Sequence, residues 1–519
     1  MLLSAIIFSP ILFALIVALL PAKVARPTSL VLTVGHFLGS LVLFSLFDPT
    51  TSSLQFVEKV DWLPELGVSY FVGLDGISFW LLILTSFLTP IVIGASWKSI
   101  NISVKTFHVS LLVLEAAMIG SFLAFDSILF YVFFELSLIP MYFIVGIWGS
   151  ENRIYAAMKF FIYTMVGSLL MLAGIIFLIF QADIQLGQVS ASVLDFYKLD
   201  LPFSDFSFFS VQNVLFFIFC LAFAIKVPMF PFHTWLPDAH VQAPTGGSMI
   251  LAGVMLKMGT YGFLRFVLPM FPEAVATWSW LFMGLGAFGI IYGALVAMVQ
   301  VDMKKLVAYS SVSHMGYVVL GLFAMNIYGL QGGLFQMLAH GISTTALFML
   351  VGVIYERTHV REIARYGGLA KTLPIFAIAF LIVTFSSIAV PMTNGFVGEF
   401  LILFGAFQAE PVFAYVSVLG VILGAAYMLW MVKKVFFGQE GEMSQKHSDM
   451  TDLNMRELLT LAPMIVLIFW MGIVPNHFLQ FSEKSLQHLI DNKSNYELTI
   501  QKSEPSSKAP KTAGVQDGF

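Results

Sequence analysis

The strongest constraint on this chain is a repeated one. Apolar stretches of about 20 residues, the length that crosses a bilayer as a helix, follow one another along most of its length. Fourteen can be counted, near 3–21, 28–47, 74–95, 107–124, 127–148, 158–181, 211–232, 242–267, 278–299, 305–324, 329–354, 373–407, 412–436 and 457–475. A segment in lipid must satisfy its backbone hydrogen bonds internally, so each is predicted to be a helix. The expected fold is all-α, a polytopic membrane protein of about 14 transmembrane helices. Composition agrees: 59% of residues are hydrophobic and 11% charged, against roughly 25% charged in soluble domains. The 53 Phe and 40 Gly residues suit helices packed in lipid.

The twelfth stretch is too long for one straight crossing. Pro391, followed by Thr393, Asn394 and Gly395, predicts a broken helix there. Past residue 475 an amphipathic piece (476–492) leads to a polar Lys/Ser/Pro-rich tail (493–519), which is expected to be disordered. Lys and Arg crowd one set of loops, Lys304, Lys305, Arg357, Arg361 and Arg365 among them. The opposite set holds Lys59, Lys198 and Arg265 plus the tail lysines. That bias puts both termini outside. The matched segments AIKVPM (224–229) and SIAVPM (387–392), and SLLMLAGI (168–175) and ALFMLVGV (346–353), suggest an inverted internal repeat. The N-terminus has no basic leader and no small-residue cleavage site, and reads as a retained first span. The lone Cys220 supports neither a disulfide framework nor an iron–sulfur cluster. No basic patch points to nucleic acid, and no glycine-rich phosphate loop is present.

The informative residues are charges inside the spans, each of which costs roughly 2.5–3.5 kcal/mol at a helix centre. Glu135, Lys226, Lys257 and Glu399 fall well within apolar segments, as do His314, His340 and Glu115. Carboxylates, amines and imidazoles all hold and release protons, so the row reads as a proton relay. Pro228 and Pro231 beside Lys226, and Pro391, Gly395 and Gly398 before Glu399, break the backbone. Broken backbone at membrane depth is tolerated only within protein or beside water. Structural readings stand beside the relay: a static Glu135–Lys226 salt bridge, packing roles for Lys257 and Glu399, and hydrogen-bonded core histidines. Glu115 has no local sign of a cavity. Asp302, Lys304 and Lys305 read as loop charges at a helix start. His233, Asp238 and His240 lack a clear zinc spacing and read as a helix-end loop. The glycine pairs Gly246–Gly247 and Gly332–Gly333 read as close helix packing.

The run KVPMFPFHTWLPDAHVQAPTGGSMILAGVMLKMGTYGFLRF (226–266) closely resembles the antiporter-like subunits of respiratory complex I. GLDGIS (73–78), FYVFFELSLIPMYFIVGIWG (130–149) and LVAYSSVSHMGYVVLG (306–321) resemble the same family, which covers residues 70–440 strongly and the ends weakly. A glutamate on the broken twelfth helix, as Glu399 is here, is typical of one branch of that family.

The resemblance implies two inverted five-helix repeats with broken helices 7 and 12. The expected division is N-terminal helices 1–3 (1–105), a first repeat of helices 4–8 (106–268) and a second of helices 9–13 (269–437). Helix 14 with the amphipathic segment (438–492) and the tail (493–519) follow. Glu135 is expected to tune Lys226, Lys257 to pass the proton along the midplane, His314 and His340 to extend the path, and Glu399 to exchange at its end. The family setting is a proton-translocating NADH:quinone oxidoreductase in the bacterial inner membrane, with other membrane-arm subunits as partners, notably the antiporter-like chains L and N. NADH, flavin, iron–sulfur clusters and quinone would be handled by other subunits, leaving this chain without cofactor, metal or redox chemistry. The rival readings are a subunit of a multisubunit sodium/proton antiporter, a membrane-bound hydrogenase subunit, and a non-conducting structural subunit.

Overall fold

The computed structural model describes residues 1–204, 208–447 and 449–503. Its spanning helices are α1 (Leu2–Leu19), α2 (Ala22–Ser40), α3 (Gly76–Ala95), α4 (Val104–Leu123), α5 (Ser127–Trp148) and α6 (Arg153–Leu186). The next span is broken into α7 (Val211–Lys226) and α8 (Trp235–Gln242). Then come α9 (Thr245–Met270), α10 (Pro272–Met298), α11 (Met303–Phe323) and α12 (Ile327–Thr358). A second broken span consists of α13 (Pro374–Ser387) and α14 (Asn394–Ala409), followed by α15 (Pro411–Phe436) and α16 (Met455–Ile473). Among the described residues, 12 helices are long and apolar enough to cross a membrane. With the two broken spans they account for the fourteen apolar stretches.

The fold is the expected all-α one, with a small addition: β1 (Gln55–Leu63) and β2 (Val68–Leu74) form an antiparallel hairpin between α2 and α3. Both strands are too short, and β1 too polar, to register as a span. The seventh span also loses its helix earlier than expected, at Lys226 rather than near residue 232. At the other end, α17 (Asn476–Ser503) runs into the segment read as a polar tail, while 504–519 lie outside the described residues.

Local chemistry sets several helix starts. Asp75 ends β2 and caps α3, accepting from the Ile77 and Ser78 amides at 3.1 and 3.0 Å, while its own amide donates to Ser78 Oγ. Asp126 caps α5 through the Ile128 and Leu129 amides, both at 3.0 Å, and also accepts from the Ser69 amide of the hairpin. Asp302 caps α11 through Lys304 and Lys305.

Burial sorts the helices. α3, α9, α11 and α12 are almost wholly enclosed, whereas α1, α2, α6, α15 and α16 turn broad apolar faces outward, as lipid requires. The enclosed helices carry or border most of the ionisable row.

Candidate functional site

Glu135 lies on α5 next to Ser137, where that helix is interrupted by a turn. Ser168 of α6 and the charge of Lys226 face it, and its Oε1 is buried with no hydrogen-bond partner among the described residues. Lys226 is the last residue of α7, a helix end at which a cation is favoured. Its Nζ donates to Ser137 Oγ at 3.4 Å and sits 4.6 Å from the centre of the Phe134 ring. The break that follows frees backbone carbonyls, and Trp235 Nε1 on α8 donates to one of them, Ile225 O, at 2.8 Å. Among the described residues no ion pair joins Lys226 to Glu135. The salt-bridge reading of these two residues therefore does not describe this arrangement.

Lys257 is wholly buried on α9, between two π-helical turns, Leu251–Met255 and Phe263–Val267. Such turns shift carbonyls out of the regular ladder. Lys257 Nζ donates to one carbonyl of the first turn, Ala252 O, at 2.5 Å, and lies 2.8 Å from His340 Nδ1 on α12. An ammonium and an imidazolium cannot share that contact, because one partner must offer a lone pair. A proton on one of the two residues therefore disfavours a proton on the other.

The His340 ring centre is 5.8 Å from that of His314 on α11. His314 Nδ1 lies 2.9 Å from Glu399 Oε1 on α14, and its Nε2 is 3.4 Å from Ser387 Oγ at the end of α13. Both rings border a cavity of about 10 Å³, at the lower limit of the space that holds one water. His314, His340, Gln336, Ser343, Ser387 and Gly395 line it. The break between α13 and α14 contains left-handed Ala389 (φ 55) and Met392 (φ 73), conformations that cost energy for residues with side chains. It is tied to α12 by hydroxyl and amide contacts, Ser343 to Ser386 at 2.5 Å and Asn394 Nδ2 to Ala339 O at 3.4 Å.

The predicted residues thus fall into two groups. Lys257, His340, His314 and Glu399 make a near-continuous line across α9, α12, α11 and α14. Glu135 and Lys226 form a separate pair on α5 and α7. The two groups meet through backbone, since a Cβ on Gly259 of α9 would lie 3.0 Å from both Val227 N and Phe223 O.

Sequence reasoning missed several polar groups. Gln336 donates through Nε2 to Glu399 Oε1 at 3.2 Å. Its place one helical turn before His340 was a usable signal. Lys304 is no loop charge: it is buried and donates to Ala243 O at 2.5 Å. Arg265 is likewise not in a loop but buried near the end of α9, 2.6 Å from Asp75 and packed 4.5 Å from the Phe125 ring. Glu115 is fully buried against His36 of α2 at 2.9 Å, a pairing that no local pattern announces. Of the residues weighed for a metal, Asp238 pairs with Lys159 at 2.7 Å and His240 stacks on Phe348 at 4.6 Å.

Comparison with known proteins brings a family to this geometry. Residues 124–424 match the family described as NADH:quinone oxidoreductase/Mrp antiporter, TM. The NADH-quinone oxidoreductase subunit M of Rhodobacter capsulatus is 47% identical over 503 residues, 95% of this chain and 96% of the relative. The NADH-ubiquinone oxidoreductase chain 4 of Marchantia polymorpha is 43% identical over 495 residues, 94% of this chain and 97% of that one. Among solved structures, a chain of respiratory complex I from Thermus thermophilus superposes with a TM-score of 0.83 at 33% identity. The match covers 94% of this chain and 100% of that chain.

Proposed function

The chain belongs to the NADH:quinone oxidoreductase/Mrp antiporter membrane family, in its subunit M and chain 4 branch, and from that membership we propose the route by which it carries protons. It is a proton-translocating membrane-arm subunit of NADH-quinone oxidoreductase. The proposed relay runs from Glu135 and Lys226 to Lys257, through His340 and His314, to Glu399.

The observation that supports this order best is the short contact between Lys257 and His340, continued by the His314–Glu399 contact. A proton arriving at His340 competes with the charge on Lys257, so occupancy of one site is felt at the next. The small cavity that both imidazoles border is where a water could carry a proton from one ring to the other. Glu135 approaches Lys226 without locking to it, which suits a carboxylate that tunes an amine rather than neutralising it.

On this reading the driving energy comes from NADH oxidation and quinone reduction on other subunits, which hold the flavin and iron–sulfur clusters. The antiporter-like chains L and N are the expected neighbours, and a bacterial inner membrane the expected setting. The test is proton pumping by the assembled complex carrying Lys226→Ala, measured as NADH-driven acidification of vesicles. A large loss with intact assembly is expected. Full pumping would overturn the relay and revive a structural, non-conducting role.

A further inference from the structure

Gln336 has no part in the relay described above, yet its position is closely specified. It is 2% exposed and lies on α12 one turn from His340. Its Nε2 donates to Glu399 Oε1 at 3.2 Å, the same oxygen that His314 Nδ1 approaches at 2.9 Å. The other end of the amide, Oε1, is buried with no hydrogen-bond partner among the described residues. Gly398 makes room for it: a Cβ there would stand 2.3 Å from Gln336 Oε1 and 3.0 Å from its Cα.

This arrangement matches an ionised Glu399, whose Oε1 accepts from two N–H groups. It does not match a protonated Glu399 beside a recharged His314. Then two N–H groups and one O–H converge, and one of the three must find an acceptor. Two tyrosine hydroxyls also face Glu399, each with a partner of its own. Tyr317 donates to Ser417 O at 2.8 Å, and Tyr427 hydrogen-bonds Ser310. His314 is held on its far side by Ser387. The Gln336 amide carries a donor and an acceptor on one rotating group, and its free Oε1 is an unused acceptor beside the carboxyl.

We propose that Gln336 is a positioning residue that reads the proton on Glu399, turning its amide from donor to acceptor when that proton arrives. The turn moves Nε2 into the space beside Gly398 that Oε1 now occupies. No bond is made or broken beyond the proton transfer to Glu399 itself. The inference rests on the relay reading of Glu399.

The test uses the assembled complex and infrared difference spectra across a pH step, with Glu399→Gln identifying the protonated carboxyl band by its loss. Gln336→Met keeps the length of the side chain and removes both ends of the amide. In that variant the Glu399 band is expected to move to higher frequency, and NADH-driven pumping to fall toward that of Glu399→Gln. An unmoved band overturns the proposal, whether pumping is normal or lost, since loss alone would mark Gln336 as packing. Normal pumping in Glu399→Gln would remove the relay reading and this proposal with it. Normal pumping and an unmoved band in Gln336→Met, with Glu399→Gln impaired, would remove this proposal alone.

Discussion

Lys257 Nζ and His340 Nδ1 lie 2.8 Å apart, on two helices enclosed by protein on every side. The pair admits one positive charge comfortably and resists two. Proton occupancy is therefore shared between α9 and α12 instead of being the property of either residue, and that makes the pair a direct point of attack.

Lys257→Arg keeps a cation and removes the ability to give up its proton, because a guanidinium stays charged in proteins. The variant is expected to assemble and to lose pumping nearly as fully as Lys257→Ala. The measurement is vesicle acidification per NADH oxidised. Normal acidification in the arginine variant would mean that Lys257 never needs to deprotonate.

Glu399→Gln should impair pumping while leaving assembly intact, because the amide fits the space and can still accept from His314. The assembled yield on a native gel checks the second half of that statement, and proton uptake checks the first. Pumping at the parental level would take Glu399 out of the path.

Asp75→Ala should be among the most damaging changes outside the relay. It leaves the Arg265 guanidinium buried without its counter-ion, at a cost of about 3–5 kcal/mol. It also removes the α3 cap, worth roughly 1 kcal/mol. The expected outcome is a lowered denaturation midpoint and poor assembly. Asp75→Ala combined with Arg265→Met should recover part of the loss, which thermal denaturation of the purified complex would register.

Gly332→Ala tests the packing reading of the Gly332–Gly333 pair. A Cβ there would stand 2.6 Å from Ile402 N and 2.8 Å from Leu401 Cβ, so α12 and α14 would have to separate. Overpacking of this kind costs typically about 1–3 kcal/mol. Since His340 and Glu399 ride on these two helices, pumping should fall together with stability. Unchanged stability would show that the interface yields at no cost.

What the sequence revealed and what it hid follow from the range of each interaction. The spans announce themselves through continuous apolar runs, and the two breaks through prolines within them. Lys226, Lys257 and Glu399 stand out because a charge in such a run is conspicuous. Pairings are another matter. His36 and Glu115 are 79 residues apart, on α2 and α4, and their meeting depends on how the helices pack. Arg265 read as a loop residue because it sits near the end of an apolar run, whereas the second π turn and Asp75 hold it inside. Lys304 beside a capping Asp302 read as solvated, but its side chain reaches inward to Ala243. The β1–β2 hairpin escaped because attention to 20-residue runs passes over strands of this length.

The π turn at Leu251–Met255 amounts to one surplus residue stored within α9. Were the turn to tighten to an ordinary α-helix with that residue kept, the surplus would pass into the register of the rest of the helix. Everything from Leu256 onward would then rotate by about 100° relative to Thr245–Ile250. Lys257 would swing away from α12, and Arg265 away from Asp75, in a single movement. The register of α9 is thus a shared inheritance of its relay lysine and its anchoring arginine, kept by the bulge that absorbs the surplus residue.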